Sequence, residues 1–376
     1  MRIHIHPMLL LVALVGTSAS CAAATPVPCD HPNFGLSPYT WKITGSGASA
    51  RAEATFPGAY FKTVVQGTAT IGVVIDGTGN TGCPVPSMPW VEYSIDDGPF
   101  TGTALTQTGA VYTLPVAAGL NATASHKLEF YFRAADLGQN RWTAATAHLR
   151  LAGIAMDTAG TLAAYPMRPR KAIGYGDSIT EGVGVDSKFT SWEILGPNNA
   201  RCAWFGFVCA ALNCEYGQIG SGGQGLVTAY NVPGCVTAWD HYDSTASRLI
   251  DGRLVPEPDY FFCAHGNNDH VDLTSAYTGW LSTVRKACPN TRIFCVVPPA
   301  GIHRSEIAAA VSARNQAGDA KVYGIDIPLM TAMAPNTGKA TQGSYDGGHP
   351  ALYGQAVFGA CVAAKVQEIL SKERQP

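Results

Sequence analysis

The stretch YGDSITEG, residues 175–182, decides the fold. A short apolar run, AIGYG (172–176), ends there, and a serine stands between an aspartate and an isoleucine just before more glycines. Two readings compete. SITE (178–181) fits a helix N-terminus in which Ser178 caps and Glu181, three residues on, completes a capping box. Alternatively, Ser178 is a nucleophile raised at the carboxyl end of a strand, where open parallel sheets place their chemistry. The surrounding sequence must choose between them.

Downstream of Lys171 the rhythm is strand, loop, helix. AIGYG is followed by the helical stretch CAWFGFVCAAL (202–212) and the strand CEYGQIG (214–220). A helix is expected around Ala238–Ile250, then strand DYFFCAH (259–265). AYTGWLSTVRKA (276–287) leads into RIFCVVP (292–298), and SEIAAAVSARNQA (305–317) into KVYGIDI (321–327); a helix from about Ala351 to Ser371 closes the chain. Five strands with intervening helices predict a parallel, doubly wound α/β sheet. Upstream, residues 36 to about 155 alternate as strands. ARAEATF, AYFKTVV, ATIGVVID, WVEYSIDDG, VYTLPVA and HKLEFYFRA are short, rich in β-branched and aromatic residues, and separated by Gly, Asn, Asp and Thr. They predict an all-β sandwich or jelly roll over 30–160, and AAYPMRPRK (163–171) reads as the linker to a second domain at 171–376.

The bulk numbers agree with two folded domains. The chain has 376 residues, 46% hydrophobic and 14% charged, too long for one ordinary core and too apolar for extended disorder. A net charge of −2 supplies no basic field for nucleic acid or an anionic membrane. Arg2, the apolar run MLLLVALVG (8–16) and the small residues of TSASCAAAT read as a signal peptide over 1–24, so secretion or periplasmic export is expected. No other run approaches the roughly 18 apolar residues of a membrane span. Ten of the eleven cysteines lie beyond Cys21, an even number compatible with disulfides in an exported protein; Cys29 and Cys83 are candidates to close the first domain. Cys263 and Cys295 fit plain buried thiols on core strands. No CxxC pair occurs, and His265 and His270 lack partners at metal-ligand spacing, so no metal is expected.

The first three strand ends and the loop before the last helix carry polar or glycine-rich segments. Ser178 follows the first strand, GSGGQG (220–225) the second, and HGNND (265–269) the third, while DGGH (346–349) precedes the last helix. A serine hydroxyl needs a base, and His349 is the candidate. Asp346, three residues earlier, can accept from its second ring nitrogen, fixing the tautomer and stabilising the imidazolium. Taken singly, Ser178 as a cap and Asn268, Asp269 and Asp346–Gly348 as turn residues are equally good readings. Jointly they leave the ordered set unexplained. GSGGQG also matches the dinucleotide fingerprint GxGxxG, but Pro233 and Gly234 break any helix that should follow it. Thr180 stands where the lipase elbow requires glycine, which disfavours the α/β-hydrolase fold.

GDSIT (176–180), the glycine-rich block, GNND (266–269) and DGGH, in that order, resemble the four blocks of the SGNH, or GDSL-type, hydrolases. With the preceding β-rich region, the chain resembles the two-domain carbohydrate acetylesterases of that superfamily. The resemblance implies a flavodoxin-like five-stranded sheet and a Ser178–His349–Asp346 triad. It also implies an oxyanion hole from the N–H of Ser178, the N–H of Gly223 (Gly222 being one step away) and the amide of Asn268. No cofactor is implied, and Asp177 is expected to be a structural hydrogen-bonding group. The expected function is a secreted serine esterase removing short acyl groups, acetate first, from a polysaccharide or oligosaccharide. The competing functions are a broad arylesterase or lipase of the same fold, and a carbohydrate-binding protein with an inert hydrolase half. Trp192, Trp204 and Trp239 are aromatic candidates for a sugar platform, with core packing as the alternative.

Overall fold

A computed structural model describes residues 25–143, 145–191 and 193–374; the predicted signal segment and Trp192 lie outside the described residues. The first half is a sandwich of two antiparallel sheets. One has the strand order Lys42–Thr44, Arg51–Ala54, Leu149–Met156, Thr70–Asp76, Val111–Ala118, with Val27–Pro28 added against Leu149–Met156. The other runs Thr161–Ala163, Tyr60–Gln66, Ser125–Ala134, Trp90–Ile95, Thr101–Ala104, with Gly35–Leu36 paired to Tyr60–Gln66. Alternation along Arg51–Ala54 sends Ala52 and Ala54 inward, and Leu128, Phe130 and Phe132 do the same from Ser125–Ala134. These side chains, with Phe61, Ile75, Leu149 and Leu151, form one core between the sheets.

The second half is the parallel sheet. Numbering its strands alone, β1 is Arg170–Gly176, β2 Cys214–Gly220, β3 Tyr260–Ala264, β4 Arg292–Val296 and β5 Val322–Ile325, and the spatial order is β2-β1-β3-β4-β5. That is the flavodoxin-like order, with its switch point between β1 and β3. Helices cover both faces, so β1 and β3 are buried nearly throughout and read as continuous apolar runs. Trp204 and Phe205 of helix Trp204–Ala211 meet Phe262 and Phe358 on one face. Trp239 and Trp280 pack on Phe261 from the other.

β2 is an edge strand, yet all seven of its residues are buried. The sandwich covers it. The Tyr60 hydroxyl accepts from Tyr216 N at 2.9 Å, and Lys62 Nζ stands 3.2 Å from Glu215 in a buried pair. A Cβ on Gly217 would lie 2.3 Å from the carbonyl oxygen of Pro38, so only glycine permits this approach. An open edge, which would otherwise offer unpaired backbone to other chains, is thus sealed within the molecule.

Two expectations change. The helix expected around Ala238–Ile250 is absent: one turn, Cys235–Ala238, is followed by paired segments His241–Asp243 with Ala246–Ser247 and Leu249–Ile250 with Arg253–Leu254. Asp243 Oδ1 accepts from Thr245 N at 2.8 Å and Thr245 Oγ1 at 2.6 Å, a local turn that competes with helix. All ten described cysteines are free thiols. Cys29 and Cys83 are unbridged, and burial pushes each thiol up to about 11.

Candidate functional site

β1 ends at Gly176, and the chain turns at once into the single helical turn Ser178–Glu181. Asp177, not Ser178, is the cap: its Oδ1 accepts from Ile179 N at 2.9 Å. Glu181 likewise does not complete a capping box but reaches elsewhere, accepting from Gly222 N at 2.7 Å. Ser178 is therefore left facing the rim. The close turn depends on Gly176, where a Cβ would lie 2.0 Å from Thr180 Oγ1. Thr180 is itself held by Trp204 Nε1 at 3.0 Å.

The loop before the last helix brings His349 to the serine. His349 Nε2 lies 2.9 Å from Ser178 Oγ, and His349 Nδ1 lies 2.7 Å from Asp346 Oδ2. Asp346 Oδ1 also accepts from Gly348 N at 2.8 Å and His349 N at 2.7 Å. Burial alone would raise the Asp346 carboxyl. The hydrogen bond and charge of His349, with those two N–H groups, instead hold it well below the usual carboxylate range. Ser344 Oγ donates to the His349 carbonyl at 2.7 Å and accepts from Gly347 N at 2.8 Å, fixing the loop that carries both residues.

Asp177 meets the opposite environment. It is fully buried, and burial pushes its carboxyl up to about 6 despite the Ile179 N–H, the His349 charge and the Asn267 amide, which donates to Oδ2 at 3.2 Å.

Blocks two and three lock together. Asn268 Nδ2 donates to the Gln224 carbonyl at 3.0 Å, leaving its second amide hydrogen for another acceptor. Asp269 accepts from Leu226 N at 2.6 Å and from Val227 N and Thr228 N, both at 3.0 Å. Asp269 is thus the anchor of the glycine-rich loop rather than an ordinary turn residue. Gly222 N–H is committed to Glu181, whereas Gly223 N–H has no protein acceptor among the described residues. Gly223 also takes φ +77°, which favours glycine.

Ser178, Asn268 and His349 line one cavity of about 110 Å³, together with Ile179, Asn267, Ala300, Asn336 and Gly348; Gly223 is not among its walls. Asn336 and Ala300 carry no motif and escape sequence reading. Asn336 belongs to the loop after the short helix Leu329–Met333, where its N–H donates to the Gly347 carbonyl at 2.6 Å. Asn267 was within reach, since it lies inside GNND. Trp204 and Trp239 are core residues, at 0% and 2% exposure, and offer no sugar platform. His265 is fully buried beneath the rim, and burial pushes its imidazole down to about 4 against the Asp269 charge. Among the described residues no group of three or more His, Cys, Asp or Glu is arranged to hold a metal ion. No described helix is long and apolar enough to cross a membrane.

The solved structure of a family two carbohydrate esterase from Cellvibrio japonicus superposes with a TM-score of 0.72, over 92% of this chain and 97% of that one, at 18% identity. The chain has the two-domain fold of the family two carbohydrate esterases. An acetyl xylan esterase from the rumen bacterium Butyrivibrio proteoclasticus superposes with a TM-score of 0.68, over 91% of this chain and 95% of that one, at 18% identity. Among curated proteins, the cellulase/esterase CelE of Acetivibrio thermocellus is 25% identical over 261 residues, or 64% of this chain. The match spans only 30% of that relative's length. No family model matches the sequence.

Proposed function

We propose that the protein is an exported serine esterase that removes short acyl groups, acetate first, from carbohydrate esters. The observation that carries this reading is the relay Asp346–His349–Ser178, with contacts of 2.7 and 2.9 Å, opening on a cavity of acyl size. His349 takes the Ser178 proton as the hydroxyl oxygen attacks the ester carbonyl, and Asp346 stabilises the imidazolium that forms. The N–H of Ser178 and the free amide hydrogen of Asn268, both residues of the cavity wall, receive the oxyanion, and the Gly223 N–H, on the loop that Asn268 ties at the Gln224 carbonyl, is assigned as the third donor. As the tetrahedral intermediate collapses, His349 gives its proton to the departing sugar oxygen, which leaves as a hydroxyl. Water, deprotonated by the same imidazole, attacks the acyl-Ser178 ester and releases the carboxylic acid and free serine.

At roughly 30 Å³ per water, the 110 Å³ cavity equals about four waters. That volume accommodates the three heavy atoms of an acetyl group. Likeness to the acetyl xylan and family two carbohydrate esterases supports a carbohydrate alcohol as the leaving group.

The test is acetate release from acetylated xylan, with 4-nitrophenyl esters from acetyl to octanoyl as a ruler. The native protein is expected to release acetate and to lose activity steeply as the chain lengthens. Ser178→Ala should fold and bind the polysaccharide but lose about 10⁴-fold or more in kcat. Activity rising toward octanoyl would instead identify a lipase-like enzyme, and carbohydrate binding without turnover would identify a binding protein.

A further inference from the structure

The loop between the sandwich strands Ser125–Ala134 and Leu149–Met156 crosses to the hydrolase half and ends against the glycine-rich block. Asn231 Nδ2 donates to the Leu137 carbonyl, and a Cβ on Gly222 would lie 1.9 Å from Leu137 Cδ2. Four residues on, Arg141 is buried at 2% exposure. Its Nη2 donates to the carbonyls of Ala135 at 3.2 Å and Asp136 at 3.0 Å, so the guanidinium is tied to its own loop. The same nitrogen stands 2.7 Å from Glu181 Oε1, and both side chains are 2% exposed. The other oxygen of Glu181 accepts from Gly222 N at 2.7 Å. One short chain of contacts therefore runs from the sandwich through Arg141 and Glu181 to the residue before Gly223.

The energetics indicate position rather than stability. Both Nη2 hydrogens are directed at carbonyls, so the Glu181 contact is coulombic, and Nε and Nη1 find no acceptor among the described residues. A buried pair with open donors contributes little net stability, because desolvation offsets the attraction. Its geometric effect is specific. An unpaired carboxylate at Glu181 would protonate or turn toward water, and the Gly222 N–H would lose its acceptor. The peptide carrying the Gly223 N–H would keep the turn bond from Gln224 N to the Ser221 carbonyl at 3.1 Å but lose the contact that sets its tilt, and oxyanion donors act only when aimed before the charge develops.

We propose that Arg141 is a positioning residue supplied by the sandwich: through Glu181 and Gly222 it aims the Gly223 N–H at the oxyanion. The sandwich is then part of the active site and not an appended module. The inference rests on the esterase reading and adds a residue from outside the four sequence blocks.

The experiment compares two double variants of the full chain, each without the ion pair. Arg141→Met with Glu181→Gln keeps an oxygen for Gly222 N–H; Arg141→Met with Glu181→Leu does not. With 4-nitrophenyl acetate, the leucine variant is expected to show kcat about 10- to 100-fold below the glutamine variant, at the scale of a misplaced oxyanion donor. KM should agree within about threefold, since ground-state binding does not use the oxyanion donors. The affinity for phenylboronic acid, whose serine adduct is tetrahedral and anionic, should fall by the same factor as kcat. Equal kcat and equal boronate affinity in the two variants would overturn the inference. Should the leucine variant not fold, Arg141→Lys decides, because it keeps the charge and loses the fork. A kcat loss of about three- to tenfold at constant KM is expected there, and unchanged kcat overturns the proposal. A native protein that neither hydrolyses the ester nor binds the boronate would instead defeat the esterase reading itself.

Discussion

Two acidic side chains flank the Ser178–His349 contact, and their surroundings drive them in opposite directions. Asp346 lies in a loop, accepts from one ring nitrogen and two backbone N–H groups, and is held strongly anionic. Asp177 sits at the end of a buried strand, with only the Ile179 N–H and the Asn267 amide as donors, and burial raises it to about 6. Number of donors and depth of burial, rather than nearness to the serine, separate the acid suited to stabilise an imidazolium from the one that shapes the turn. Asp177 is next to Ser178 in sequence and Asp346 is 168 positions away (346 minus 178), yet the distant residue is the one that completes the relay.

The sharpest way to break this contrast is Asp346→Asn. With its oxygen held by the Gly348 and His349 N–H groups, the amide would present NH2 to Nδ1 and no negative charge, so kcat should fall by about 10²- to 10⁴-fold with little change in KM. Steady-state kinetics on 4-nitrophenyl acetate checks this, and a loss below about tenfold would remove Asp346 from the relay. Asn268→Ala comes next: it deletes one proposed oxyanion donor and should lower kcat by about 10²- to 10³-fold. Because Asn268 also holds the Gln224 carbonyl, thermal unfolding should be read beside the kinetics.

The smallest effect is expected from Asp177→Asn, which keeps an oxygen for the Ile179 N–H while Asn267 turns its own amide to match. In the folded protein Asp177 holds its proton up to about pH 6, against an ordinary value of 3.8. Folding therefore binds protons across that window, and this group's contribution to stability falls as pH rises through it. His265 acts with the opposite sign. Its imidazole stays neutral in the fold down to about pH 4 but titrates near 6.5 when unfolded, so its contribution is present above 6.5 and is lost as pH falls toward 4. The two slopes oppose each other in the native protein. Asp177→Asn should leave the His265 slope exposed, with stability rising on the order of 3 kcal/mol from pH 4 to 6.5. Urea titrations at several pH values would show it. An unchanged pH profile would mean that Asp177 is not raised.

Much of this arrangement was legible in the sequence, and the exceptions have physical causes. The strand periods, the parallel half and the four blocks could be read because each depends on residues near one another in the chain. The partner of Glu181 could not. Arg141 lies in a turn-rich loop of the other half, and SITE offers a local capping box that explains Glu181 without it. Asn336 was hidden because its loop carries no chemistry of its own and reaches the cavity only by backbone pairing with Gly347. The hairpins at 241–254 were misread because Trp239, Tyr242, Ala246 and Leu249 recur at helical spacing. The Asp243 turn overrides that period, and Lys42 of the sandwich pairs with the same carboxylate.

Everything proposed for the reaction requires the Ser178 hydroxyl to be activated at the rim where His349 meets it. Treatment of the full-length protein with a fluorophosphonate, followed by peptide mapping, tests that requirement most directly. The account predicts one phosphonyl group per chain, on the peptide bearing Ser178, appearing in proportion to the loss of acetate release. A label on another residue, or a Ser178 that stays unmodified in the actively hydrolysing protein, would contradict it.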